Sequence, residues 1–144
     1  MDEATGSILP EGNTLTQDDY ETLAAFRFEL RRFLEFSKSA ARALGLTPHQ
    51  HQALLAIRAA KGRALTVGML AEQLFVQPHS ASELTERLVA LGLLLREPSG
   101  EDRRRVELRL SAAAEDLLAR MSAVHRGEVL RMRPALTQIL EKLG

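Results

Sequence analysis

Residues 93–111 read LLLREPSGEDRRRVELRLS, and this stretch decides the fold. Two short apolar runs flank a Pro98-Ser99-Gly100 turn. The second run, Arg105-Val106-Glu107-Leu108-Arg109-Leu110, alternates polar and apolar with period two, the pattern of a half-buried strand. Between the runs sits Glu101-Asp102-Arg103-Arg104-Arg105, a charged tip on a hairpin. Immediately upstream lie two short helical segments at the spacing of a helix-turn-helix. A two-helix reader followed by a basic-tipped hairpin is the layout of a winged DNA-binding domain. Alone, the charge run has a plainer reading, a solvated hairpin kept soluble by its charges.

Composition excludes several classes. The 144 residues suit one domain with a sizeable core, and 45% hydrophobic with 26% charged residues fits an ordinary soluble helical protein. There is no Cys, which rules out disulfides, thiolate metal sites and cysteine-based redox sensing. The N-terminus is acidic and lacks the apolar core of a secretory signal. No apolar run approaches the roughly 18 residues of a membrane span, so the expectation is a cytoplasmic protein with no membrane partner. The formal net charge is zero but unevenly spread. Six of the 19 acids (Asp2, Glu3, Glu11, Asp18, Asp19, Glu21) fall in the first 25 residues, which hold no Lys or Arg. The remainder therefore carries 13 acids against 19 bases, a formal +6. That excess permits a nucleic-acid partner without demanding one.

Along the chain, residues 1–15 have turn-forming composition and no period, and read as a flexible acidic tail. From Thr16 to Leu44 the pattern is helical: Leu23, Phe26, Leu30, Phe33, Leu34, Ser37, Ala41 and Leu44 recur at three- and four-residue steps, with Gly45 as the stop. Such a helix is roughly 40 Å long, more than a compact monomer easily covers, so a partner helix is the natural way to bury it. Thr47-Pro48-His49-Gln50 matches a capping box for a second helix whose face is Ala53, Leu54 and Ile57, closed by Lys61-Gly62. Thr66 caps a third helix, Val67 to Leu74, with Leu70, Ala71 and Leu74 inward. Phe75-Val76-Gln77 forms a turn, and Pro78 opens a fourth helix running to about Leu91, where Gly92 stops it. After the hairpin, Ser111 caps a long helix holding Ala114, Leu117, Leu118, Met121 and Val124. Pro134 starts a final segment with Leu136, Ile139, Leu140 and Leu143. The phenylalanines Phe26, Phe33 and Phe36 read as dimer core rather than a ligand box.

On a wheel of the fourth helix, Ala81, Leu84, Leu88 and Leu91 share a core face. The opposite face collects His79, Ser82, Glu83 and Glu86, with Ser80 and Arg87 flanking it. A DNA-reading helix needs polar, short side chains free on its first turns, which His79, Ser80 and Ser82 provide. Glu83 either accepts from a cytosine amino group or is solvated.

In this order, the pieces resemble the MarR (multiple antibiotic resistance regulator) family of bacterial transcription factors over roughly residues 20–143. Asp102-Arg103-Arg104-Arg105-Val106-Glu107-Leu108-Arg109-Leu110-Ser111 is similar to the family's D-x-R wing signature running into its strand end. Leu46-Thr47-Pro48, Leu65 to Leu74 and Ser82 to Leu88 support it. The resemblance implies a mainly α fold with a small β-wing: a winged helix-turn-helix over 46–110, with dimerisation helices at 16–45 and 111–144, in one domain from 16 to 144. It implies a homodimer joined by its terminal helices, in which Leu23, Phe26, Leu30, Leu136, Ile139 and Leu140 are the expected seam. It further implies a pseudo-palindromic double-stranded DNA operator, a repressor role and a small aromatic or anionic effector. The expected DNA-facing residues are Thr66, Gln77, His79, Ser80, Ser82, Glu83, Arg87, Arg103, Arg104 and Arg105, with Asp102 fixing Arg104 at the wing tip. Gln77 stands where Ser often caps the reading helix, and Glu83 where a basic residue is common.

The histidines carry no metal motif. His49 and His51 point about 200° apart on a helix, and no H-E-x-x-H is present, so neither metal nor cofactor is expected. For His125, solvent, dimer seam and effector pocket all stay open. No nucleophile–base pair or phosphate loop supports an enzyme. The competing class is a winged-helix module that uses the same surface for protein contacts, and binding to DNA separates the two.

Overall fold

The computed structural model describes residues 14–60, 63, 65–98 and 106–144. Its elements run α1 (Gln17–Ala43), α2 (Pro48–Ala59), α3 (Val67–Leu74), α4 (Pro78–Ala90), β1 (Leu94–Pro98), β2 (Val106–Leu110), α5 (Ala112–Arg131) and α6 (Arg133–Leu143). A mainly helical chain with a two-stranded wing is the expected fold class. Residues 1–13 of the expected tail, Lys61 and Gly62 at the expected end of α2, and the hairpin tip lie outside the described residues.

Local chemistry sets the helix ends. At α1 and α2, Thr16 and Thr47 accept from the backbone N–H groups of Asp19 and Gln50, whose side chains accept in return from the threonine amides. Two donors at each helix start are thereby satisfied. Thr66 and Ser111 cap α3 and α5 through their hydroxyl oxygens. Gly45 and Gly92 take φ of +78° and +73°, the left-handed turns that end α1 and α4. The turn after α3 is unusual: Phe75 occupies the left-handed region at φ 55° with its ring 97% exposed. An aromatic side chain in that conformation is strained.

The core gathers one face of each central element. Ala53, Leu54 and Ile57 of α2, Leu70 of α3, Leu88 of α4, Leu94 and Leu108 of the strands, and Ala114, Leu118 and Met121 of α5 form one buried cluster. The strands pair antiparallel with Leu94 opposite Leu110 and Arg96 opposite Leu108. Around this centre, α1 packs against α2, α5 and α6. An ion pair between Lys142 and Asp18 (3.8 Å) brings the end of α6 to the start of α1.

Two expected core positions are wrong. Leu91 is 57% exposed, because α4 ends at Ala90 and the chain turns there, with the Leu93 amide donating back to the Leu88 carbonyl. Val124 is also exposed; beyond Met121 the covered side of α5 carries His125 and Glu128 instead. No helix among the described residues is long and apolar enough to cross a membrane.

Candidate nucleic-acid interface

The fourth helix is held by its small and branched residues. Ala81, Thr85 and Leu88 are buried, and the Thr85 hydroxyl donates to the Ala81 carbonyl (2.8 Å), so this polar group enters the core satisfied. Thr85 is absent from the core face that apolar spacing alone predicts. Its signal is the four-residue step from Ala81, which lets it bond one turn back. With that face sealed, His79, Ser82, Glu83, Glu86 and Arg87 stand exposed, and Ser80 is half-buried at the edge. Gln77 is the N-cap of α4 but makes no side-chain capping bond, and Pro78 follows in the first turn. Thr66, half-buried, spends its hydroxyl oxygen on capping α3.

The hairpin is tied to this unit by main chain. The Leu108 N–H donates to the Leu65 carbonyl (3.4 Å), and the Ser111 N–H to the Leu93 carbonyl (3.0 Å). Glu97 and Glu107 face each other across the strands, a like-charge pairing that destabilises a ladder. Arg109, adjacent on β2, offsets it by pairing with Glu97 at 3.0 Å. Arg96 adds an exposed basic side chain on β1 that is not among the expected DNA-facing residues. The alternation of residues 93–98 is the available sign of it. The wing-tip residues Asp102, Arg103, Arg104 and Arg105 lie outside the described residues.

Between α2, the hairpin and the start of α5 lies a cleft of about 340 Å³ with Arg58, Arg63 and Arg109 in its wall. Arg58 is paired with Glu115 (2.9 Å) and Arg109 with Glu97 (3.0 Å), so two of the three arginines already face a glutamate. No group of three or more His, Asp or Glu among the described residues is placed to hold a metal ion.

The expected seam residues divide. Leu23, Phe26 and Leu30 on α1 and Leu140 on α6 are exposed apolar side chains in the single chain, Leu140 at 67%. Leu136 is half-buried, and Ile139 is buried within its own chain. The histidines behave differently from one another. His49 is exposed, whereas His51 is 4% exposed and faces His125 at 4.7 Å between ring centroids. Burial, and secondarily the neighbouring His125, lower the His51 pKa below its ordinary value.

Comparison with known proteins agrees with this geometry. Residues 44–105 match the MarR family model. Among solved structures, a mutant of Staphylococcus aureus MepR bound to an oligodeoxyribonucleotide is 21% identical, covering 91% of this chain and 100% of that one with a TM-score of 0.67. A mutant MarR from E. coli is 18% identical, covering 92% and 98% with a TM-score of 0.68. AbsC, a MarR family transcriptional regulator from Streptomyces coelicolor, is 18% identical over 83% and 81%, with a TM-score of 0.67. No curated protein matches the chain by sequence. The matched segment, residues 44–105, runs from the end of α1 to the hairpin and is similar to the MarR family.

Proposed function

We propose that this protein is a homodimeric, sequence-specific DNA-binding transcriptional regulator, acting in the cytoplasm as a repressor whose hold on a pseudo-palindromic operator is modulated by a small aromatic or anionic effector. The observation that carries the reading is α4. Its apolar face is sealed into the core while His79, Ser82 and Arg87 stand free beside a rigidly attached hairpin. Hydroxyl and imidazole groups at the start of an exposed helix are suited to base edges in the major groove, and wing-tip arginines to phosphate or a narrow minor groove. The DNA-bound state of the similar MepR protein supports the same reading. The uncovered apolar residues of α1 and α6 support a second copy at the terminal helices.

Two exposed acids on α4, Glu83 and Glu86, favour the competing reading of a winged-helix module for protein contacts, because they oppose phosphate. A gel shift with the DNA flanking the protein's own gene separates the two. A retarded band that an unrelated duplex does not compete away supports the regulator, and no retardation at low salt supports the module.

A further inference from the structure

His51 and His125 meet where three helices join. His51 projects from α2, the first helix of the winged unit, and His125 from α5, and their rings lie 4.7 Å apart at a tilt of 37°. Phe33 and Phe36 of α1 close the pocket edge-on to His125, at 6.1 and 5.4 Å. The hydrogen bonds define the proton positions. His125 Nδ1 lies 2.8 Å from the Met121 carbonyl, which can only accept, so Nδ1 carries the hydrogen. Its Nε2 lies 2.8 Å from the Ser37 hydroxyl, which donates to the neutral ring and can turn to accept from a protonated one. His51 has no such provision. Its Nδ1 is fully buried with no hydrogen-bond partner among the described residues.

We propose that the His51–His125 pair is a proton-operated latch between the winged helix-turn-helix and the terminal helices, closed when both imidazoles are neutral and released when His51 takes a proton. A cation at His51 is desolvated, faces a second imidazole and leaves a buried N–H without an acceptor. The ionisable side chains within one turn on the three helices do not relieve it. Arg31, Glu35, His49 and Arg126 are exposed, Lys38 is half-exposed, the half-buried Glu29 is paired with Arg32 at 3.9 Å, and the buried Glu128 is paired with Arg131 at 3.5 Å. Burial lowers the His51 pKa, and the neighbouring His125 lowers it further. Releasing α2 from α1 and α5 loosens the junction that positions α4 relative to the terminal helices.

The direction with pH follows from linkage. The unfolded chain protonates His51 at its ordinary value of about 6.5, while the folded chain resists until a lower pH. Stability from this site is therefore fully present above about 6.5 and is lost progressively as pH falls below it toward the folded value. The effect on DNA rests on the reading of α4 given above; the effect on folding does not. The informative comparison is wild type against variant.

The test uses the full chain with His51→Phe, His51→Gln and, as a control, His49→Gln. Thermal midpoints between pH 8 and 5 should fall more steeply for wild type and His49→Gln than for the two His51 variants. Operator affinity, relative to His51→Phe, should fall several-fold for wild type over this range. In the wild-type chain, whatever the variants' folding, the His51 ring proton should titrate by NMR below about 6.5, with amide protection of α2 lost over the same range. Parallel pH profiles for wild type and the His51 variants, or a His51 midpoint at or above the ordinary value, would overturn the latch. Absence of duplex binding at every pH would count against the reading of α4, while the midpoints and the titration still decide the latch.

Discussion

The backbone N–H of Leu108, in the second wing strand, donates to the carbonyl of Leu65, immediately before the cap of α3. Wing and helix-turn-helix are thus joined by main chain as well as by the buried side chains of Leu94 and Leu108. These contacts fix the hairpin's direction relative to α4 through the core.

Leu108→Ala should accordingly do two things. Removing a buried leucine costs about 2–4 kcal/mol through forfeited transfer energy and a residual cavity. Denaturant unfolding reads that cost. Duplex binding measured where the variant is still folded should also fall, because the wing loses its seat. Unchanged binding with reduced stability would separate the hairpin from recognition.

Phe75 offers a gain. Its left-handed backbone costs roughly 1 kcal/mol in a residue of this kind, and its exposed ring recovers nothing from packing in the single chain. Asn tolerates that conformation, so Phe75→Asn should raise the thermal midpoint by roughly 3 °C. An unchanged or lower midpoint would mean that the ring is covered in the native assembly.

The dimer is tested most cleanly on α1. Leu23 and Leu30 are exposed, Leu30 at 41%, so charging them costs the isolated chain little. The double variant Leu23→Glu/Leu30→Glu should keep its helical circular dichroism and sediment as a monomer. A variant that still sediments as a dimer would place the seam elsewhere. Deleting α6 is a poorer test, because Ile139 is buried in its own chain and folding would suffer with assembly.

Much of the fold is legible from residue types alone. Helix starts are marked by Thr47, Thr66 and Ser111, and helix stops by Gly45 and Gly92, because capping chemistry is local and needs few neighbours. The face of α4 is also legible, since one apolar stripe fixes its rotation. What escapes are polar residues turned inward. Thr85, His51, His125 and Glu128 break an apolar period, and only the packed neighbours supply the partners that let them be covered. Leu91 and Val124 are misplaced for the converse reason: an apolar residue at the right spacing can still fall at a helix end or on an uncovered side.

If α4 reads sequence while the wing supplies charge, the two elements must respond differently to salt and to the choice of duplex. A salt titration of binding to operator and scrambled duplexes, for Ser82→Ala and Arg103→Ala, decides this. Ser82 stands exposed on α4. Arg103 belongs to the basic tip outside the described residues. Arg103→Ala should weaken both duplexes by similar factors and lower the salt slope by about one for each phosphate no longer neutralised. Ser82→Ala should cost about 1 kcal/mol or more on the operator and leave the scrambled duplex nearly unaffected. Equal weakening on both duplexes for both variants, with the same change of slope, would contradict this division of labour.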